Sequence, residues 1–267
     1  MEIIHLHGLS EKNKKNIILF FFIFFIIGLS YVVTNNILTD IGFIYESTYN
    51  RTIIINLDDS TTGQYKNAYP ILNEYGFKAT YAIITSYTEI KNSQIKKMYN
   101  NGMDIESHTK DHIDLSKIFN PFTIIYELKS SKDYLTQLGI NSDILILPNG
   151  AGAYNIIYRL VIGNYYNYSR GQLFNASLDD SYYNLNLGFN CYNIPSVALG
   201  NYTTFQDFKN LINETTLKNK TIIITYHKIE DKSDTYLTVT TDTFKKEMDY
   251  LYTLNVNVIT LKQYLEG

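Results

Sequence analysis

The chain has 267 residues, 45% of them hydrophobic and 18% charged, which suits one large or two small packed domains and excludes a disordered chain. A formal net charge of −3 offers no basic surface for nucleic acid, and the single cysteine, Cys191, excludes both an internal disulfide and a cysteine-based zinc site. Tyrosine is frequent at 25 copies, and such residues serve either half-buried packing or stacking on sugar rings.

In chain order, the first predicted element is an apolar run from Ile17 to Val33 without a charged residue, long enough to span a bilayer. Lys12, Lys14 and Lys15 precede it, whereas no lysine follows before Lys66. The positive-inside rule then predicts a cytoplasmic tail over 1–16, a transmembrane anchor over 17–34, a linker over 35–50 and an extracellular domain over 51–267. A cleaved signal peptide is the alternative, but the residues after the run, Val32-Val33-Thr34-Asn35-Asn36, lack a small-residue cleavage pattern. Both readings export the domain. Six Asn-x-Ser/Thr sequons, at Asn50, Asn167, Asn175, Asn201, Asn213 and Asn219, fit a glycosylated outer surface.

After the linker, Thr52–Leu57 is a β-branched apolar run that reads as a buried strand. A helix over Tyr65–Tyr75 ends at Gly76, and a strand follows over Thr80–Ile84. A second helix over Ser93–Asn101 ends at Gly102 and leads to the strand-like Asp104–Ser107. Pro121–Leu138 carries proline in its first turn and ends at Gly139. Ile144–Leu147, Thr221–Tyr226 and Val256–Thr260 read as further strands, and Phe205–Thr216 and Thr243–Leu254 as further helices. This alternation predicts parallel strands with crossover helices, and the length remaining after the anchor favours a single α/β barrel.

Three of these strands run into groups that ionise or bind metal: Asp58-Asp59, then His108 to His112, then His227. In a parallel barrel the strand C-terminal ends gather at one mouth, so these groups converge. The spacing His108-x-x-x-His112 predicts two imidazoles on one helical face, with Asp59 as a carboxylate third ligand. Such a set suits Zn²⁺, and also Co²⁺, Ni²⁺ or Fe²⁺. Taken singly, a histidine pair also occurs as surface or capping residues, and Asp-Asp after a strand also occurs as a helix cap. Their joint placement favours a site. Cys191 has no nearby histidine in sequence and reads as a buried or half-buried thiol, not a nucleophile.

The segment Leu57-Asp58-Asp59-Ser60 resembles the aspartate motif of the polysaccharide deacetylase family. Asn101 through His112 is similar to that family's metal-binding histidine motif with its preceding strand. Leu147-Pro148-Asn149-Gly150 resembles the groove loop, and Ile224-Thr225-Tyr226-His227 the late histidine motif. The closing stretch, from Thr243-Phe244 to Val258-Ile259-Thr260-Leu261, resembles the family's final helix and strand. The resemblance covers about residues 50–265. It implies a distorted (β/α) barrel with seven or eight strands and hydrolysis of an N-acetyl, or O-acetyl, group on a sugar.

It further implies one divalent metal ion on Asp59, His108 and His112, Asp58 as general base, and His227 as general acid. Pro148 and the Asn149 backbone N–H would then line the groove and hold the oxyanion. Two positions depart from the family pattern. Ser60 stands where glycine is usual, and Ile146 stands where an arginine usually orients the base. Arg170 could supply that cation from the next strand, or it could be an exposed arginine. The expected partners are an acetylated glycan substrate and the membrane, with no nucleic acid and no protein partner. The alternative reading, a catalytically silent glycan-binding or structural surface domain, gives no reason for Asp58, Asp59, His108, His112 and His227 to occur together.

Overall fold

The computed structural model describes residues 51–151, 156–171 and 191–267. The expected tail over 1–16, anchor over 17–34 and linker over 35–50 lie outside the described residues. Among the described residues no helix is long and apolar enough to cross a membrane.

Strands β1 (Thr52–Leu57), β2 (Thr80–Ile83), β3 (Asp104–Ser107), β4 (Ile144–Ile146) and β5 (Tyr168–Arg170) lie side by side in chain order. On the other side of β1 come β7 (Thr221–Tyr226) and then β6 (Val197–Ala198). All of these pairs are parallel, as is the pairing of β10 (Asn257–Ile259) with the first half of β1. Arg170 of β5 bridges Ile194, just before β6, so the two edges of the sheet approach each other. The result is a curled, half-barrel parallel sheet. A small parallel ladder, β8 (Lys228–Glu230) with β9 (Thr238–Thr240), follows β7. The expected strands and helices recur with shifts of one or two residues.

Period-two alternation sorts the strand residues. Ile53, Ile55 and Leu57 of β1 pack outward against the helices in the largest core cluster, whereas Ile54 points inward. Inside, Ile54, Ala82, Ile144, Ile146 and Ile223 meet Leu261, Tyr264 and Leu265 of the last helix, α7 (Leu261–Glu266). That helix closes the barrel at one end, each fully buried apolar side chain contributing about 1.5–3 kcal/mol. Farther up the strands the inward positions turn polar, with Asn56, Glu106, Thr225 and Arg170 all fully buried. The sheet therefore has an apolar floor and a polar mouth.

The outer layer comprises α1 (Tyr69–Glu74), α2 (Asn92–Asn100), α3 (Pro121–Gln137), α4 (Ile156–Ile162), α5 (Phe205–Leu217) and α6 (Thr241–Thr253). The helix expected over Tyr65–Tyr75 starts with a π-helical turn, Gln64–Ala68, before α1. At α3 the Asn120 side chain accepts the Phe122 N–H at 3.0 Å, with Pro121 in the first turn. Gly102 ends α2 with φ 82°, a left-handed turn that glycine adopts without strain, and delivers the chain into β3.

Candidate metal centre

Asp58 and Asp59 follow β1, His108 follows β3 and His227 follows β7, so all four stand at strand C-terminal ends. Ladder-like hydrogen bonds continue past the strands and hold two of them. The Asp58 N–H donates to the Tyr226 carbonyl at 2.8 Å, and the His108 N–H to the Ile83 carbonyl at 2.9 Å.

Asp59, His108 and His112 bring one ligand atom each to within 4.8 Å of one another. Asp59 Oδ1 lies 3.4 Å from His108 Nε2 and 3.2 Å from His112 Nε2. A tetrahedral ion with bonds of about 2.0–2.2 Å holds neighbouring ligand atoms about 3.3–3.6 Å apart, so these separations fit a shared ion. The tautomer fits too. His108 Nδ1 lies 2.8 Å from the Ile146 carbonyl, which can only accept, so Nδ1 carries the proton and Nε2 keeps its lone pair. Asp59 Oδ1 is buried with no hydrogen-bond partner among the described residues. Burial alone would raise Asp59, yet the two imidazoles hold its carboxyl far below the usual range. The donors present therefore suit a divalent cation.

The helical face expected for His108 and His112 is absent. Residues 108–112 form an irregular loop in which Thr109 has φ 61° and His112 φ 55°. The rings still meet, centroids 4.7 Å apart at 66°. Other groups shape this loop: Ser107 Oγ accepts the Thr109 N–H at 3.2 Å, and buried Glu127 of α3 accepts the Asp111 N–H at 2.8 Å. A four-residue spacing that would meet on a helix meets here through left-handed turns.

Asp58 points the other way, into the polar mouth. Its Oδ2 accepts from Arg170 Nη2, and both side chains are buried, at 1% and 0% exposure. Arg170 Nη1 also donates to the Gly171 carbonyl at 3.1 Å and to Ser196 Oγ at 3.0 Å. The arginine is thus a buried partner of Asp58, not a solvated side chain. Ile146, where the family pattern has arginine, is buried in the floor and serves through its carbonyl. Asp58 Oδ1 has no partner among the described residues.

His227 is buried, and its Nδ1 has no partner among the described residues. Burial lowers its pKa, and the nearby charges of Asp58 and Asp59 oppose that shift. Sequence reasoning missed Gln64, which is fully buried and donates from Nε2 to the Asp58 carbonyl and, at 2.6 Å, to the His227 carbonyl. It thereby ties the first and last motifs together. The helical spacing gave no sign of it, because Gln64 lies one residue before the apolar pattern begins. Pro148 is buried and Asn149 is exposed in a 3₁₀ turn after β4, with Asn149 at φ 56°. Cys191 is half-buried and burial raises its thiol pKa, so it stays protonated.

A carboxylate–imidazole cluster thus stands at the mouth of a curled parallel sheet, beside a second carboxylate held by a buried arginine. Residues 46–164 match the family described as Polysaccharide deacetylase. That stretch contains Asp58, Asp59, His108, His112, Pro148 and Asn149, while Arg170 and His227 lie beyond it. The Bacillus subtilis protein YxkH is 33% identical over 109 residues, covering 39% of this chain and 38% of the relative. A Staphylococcus aureus poly-beta-1,6-N-acetyl-D-glucosamine N-deacetylase is 36% identical over 104 residues, covering 33% and 36%. The matched stretch thus spans little more than a third of the length of either relative. The solved structure of T48 deacetylase with substrate has the same fold, with TM-score 0.55 at 19% identity, covering 82% of this chain and 92% of that one. The likeness in sequence to polysaccharide deacetylases thus lies in the first part of the described domain, and the structural likeness shows a shared fold.

Proposed function

We propose that this chain is a metal-dependent hydrolase that removes N-acetyl groups, or the related O-acetyl groups, from a cell-surface or extracellular polysaccharide. One observation carries the reading: the Asp59–His108–His112 cluster stands beside the buried Asp58–Arg170 pair. Amide hydrolysis needs a water activated near neutral pH, charge stabilisation on oxygen and a proton for the leaving nitrogen. The name of the Staphylococcus aureus relative makes polymers of N-acetylglucosamine the first substrate class to test.

In this reading Asp59, His108 and His112 would hold one divalent ion, Zn²⁺ first, with Co²⁺, Ni²⁺ and Fe²⁺ suited to the same donors. Such an ion, when bound, lowers the pKa of water and polarises an acyl oxygen. Asp58 takes the proton from the attacking water. Arg170 occupies its Oδ2, which leaves Oδ1 as the accepting atom. His227 starts neutral because burial lowers it, and it takes up a proton from solvent as negative charge grows on the substrate oxygen. It then gives that proton to the leaving nitrogen, while the proton on Asp58 returns to solvent after the reaction. Pro148 and the Asn149 N–H, in the turn after β4, line the groove and steady the oxyanion. The products are acetate and a free amine, or a free hydroxyl where the group is O-acetyl.

The proposal includes the topology. Residues 17–34 anchor the chain, 1–16 stay in the cytoplasm and the domain lies outside, a reading supported by Lys12, Lys14 and Lys15 flanking the apolar run on one side. The test is acetate release by the full chain from a panel of acetylated glycans, with and without added divalent metal. Release that requires both metal and an acetylated glycan is expected. No release from any N- or O-acetylated glycan in the metal-loaded protein would overturn the enzyme reading in favour of a silent glycan-binding domain.

A further inference from the structure

A groove of about 1170 Å³ runs along the outer layer between the Gln64–Glu74 helical segment and α2, and none of its lining residues belongs to the metal centre. Tyr65 and Ser93 line it where the two helical segments start, and Lys78 and Asn101 line it where they end. Both segments lead back from strand C-terminal ends. The groove therefore begins on the side of the sheet that carries Asp58 and Asp59 and descends to the strand starts. Its volume exceeds the roughly 300–1,000 Å³ of sites built for single small molecules. Its length along α2, nine residues long, is about 13 Å at about 1.5 Å per residue, long enough for more than one sugar ring.

The lining is cationic. Lys66, Lys78, Lys96 and Lys97 contribute to it, and no carboxylate does. Lys66, Lys96 and Lys97 are exposed, while Lys78 is half-buried and donates to the Asn101 carbonyl at 2.7 Å. Nearby acids are engaged elsewhere: Glu74 pairs with Lys245 at 2.9 Å, and Glu89 accepts the Thr62 N–H at 2.7 Å. In a chain of net charge −3, four lysines on one groove without a lining acid concentrate positive potential there.

The remaining lining suits a sugar. Tyr65 is half-buried and stacks on Tyr69, centroids 5.5 Å apart at 17°, so the pair is fixed in place. Asn101 Nδ2 donates to Tyr69 Oη at 3.0 Å and to Asn73 Oδ1 at 2.9 Å, which orders the polar end of the groove before any ligand arrives. No arginine fork is present to prefer one planar anion, and lysine serves phosphate and carboxylate alike as a point charge.

We infer that this groove binds an anionic saccharide chain, its phosphate or carboxylate groups on the lysines and a ring against Tyr65. The inference does not depend on the proposed hydrolysis. It is tested by calorimetric titration of the full chain with four probes: oligogalacturonate, phosphorylated dextran oligomers, neutral maltooligosaccharide and inorganic phosphate. The carboxylate-bearing and phosphate-bearing chains distinguish the two anions, and binding of either supports the site. In the Lys96→Gln/Lys97→Gln double variant their affinity should fall by about tenfold or more and its salt dependence should flatten. Tyr65→Ala should weaken the oligosaccharides but leave inorganic phosphate unchanged. Lys232→Gln, in the exposed loop between β8 and β9, should bind as the wild type does. His108→Ala should also retain the anionic chains, which separates this site from any failure of the deacetylase reading. Equal affinity for the neutral chain, or wild-type affinity in the double lysine variant with an unchanged melting temperature, would overturn the inference.

Discussion

Replacing Arg170 by Met tests whether the buried pair at the mouth is an integral support of Asp58. Methionine keeps the length and apolar stem of the side chain but removes the guanidinium. Asp58, at 1% exposure and with Oδ1 lacking a partner among the described residues, then loses the buried cation that pairs with it. Ser196 Oγ and the Gly171 carbonyl lose the Nη1 donor as well. Breaking a buried ion pair from one side costs about 3–5 kcal/mol, a large part of the roughly 5–15 kcal/mol that holds a domain together. At the size of this domain the melting temperature should fall by roughly 10 °C. The Arg170→Met/Asp58→Asn variant removes both charges, so it should recover at least about 2 kcal/mol relative to the sum of the single changes. Urea unfolding followed by far-ultraviolet circular dichroism measures all four corners of the cycle, the chain having no tryptophan to report by fluorescence. If Arg170→Met lies within about 1 kcal/mol of wild type, or the double variant is simply additive, the pair does not act as a unit.

His108→Ala/His112→Ala should bring bound divalent metal well below one equivalent by elemental analysis and abolish acetate release; near-stoichiometric metal would remove the site from consideration. Asp59→Asn should lose metal and activity together, whereas Asp58→Asn should keep its metal and lose at least about 10²-fold in rate. His227→Ala should resemble Asp58→Asn, and metal loss in Asp58→Asn with retention in Asp59→Asn would reverse the two assignments. Glu247 is buried, accepts from Tyr226 Oη at 2.8 Å, and is pushed up by burial to about 7. A carboxyl raised in the folded state favours folding at low pH, and that contribution is lost as pH rises from its unfolded value of 4.5 through about 7. Glu247→Gln should therefore gain stability over wild type as pH rises across that window, by up to about 3 kcal/mol, and a pH-independent difference in urea unfolding would refute it.

Much of the fold was legible because its strands are buried on both faces. Thr52–Leu57 and Thr221–Tyr226 are continuous β-branched runs, and no competing period obscures them. Helix ends were legible for the same local reason, since Gly102 and Pro121 carry their backbone preference wherever they occur. The short strands β5 and β6 left no periodic trace, and the sheet edges approach each other where Arg170 bridges Ile194, a contact between residues 24 apart. Types and order announced the candidate site residues, but how they meet was not written locally. The His108–His112 spacing suggested a helix, and a loop with two left-handed residues does that work instead. Arg170 was visible as a cation with no assigned side, because only the closure of the sheet decides whether it points in or out.

The left-handed residues explain how adjacent carboxylates come to face different partners. Asp59, Ser60, Thr109, His112 and Asn149 all have positive φ, between 49° and 78°, and all follow strands at the polar mouth. A non-glycine residue there costs on the order of 1–2 kcal/mol, so such a concentration persists only where surrounding contacts over-determine the backbone. At Ser60 one such contact is visible: its Oγ accepts the Ile84 N–H at 3.2 Å, a bond glycine cannot make. The hydroxyl offsets part of the conformational cost, so the departure from the family's glycine keeps the turn. That turn lets Asp58 continue the ladder of β1 and face Arg170, while Asp59 leaves the strand and faces the two imidazoles. Gln64, wound in the π-helical turn just beyond, holds the Asp58 and His227 carbonyls from behind. Two neighbouring aspartates thereby occupy different electrostatic environments, one beside a buried cation and one beside a pair of nitrogen donors, and separation of that kind is what distinct proton and ligand roles require.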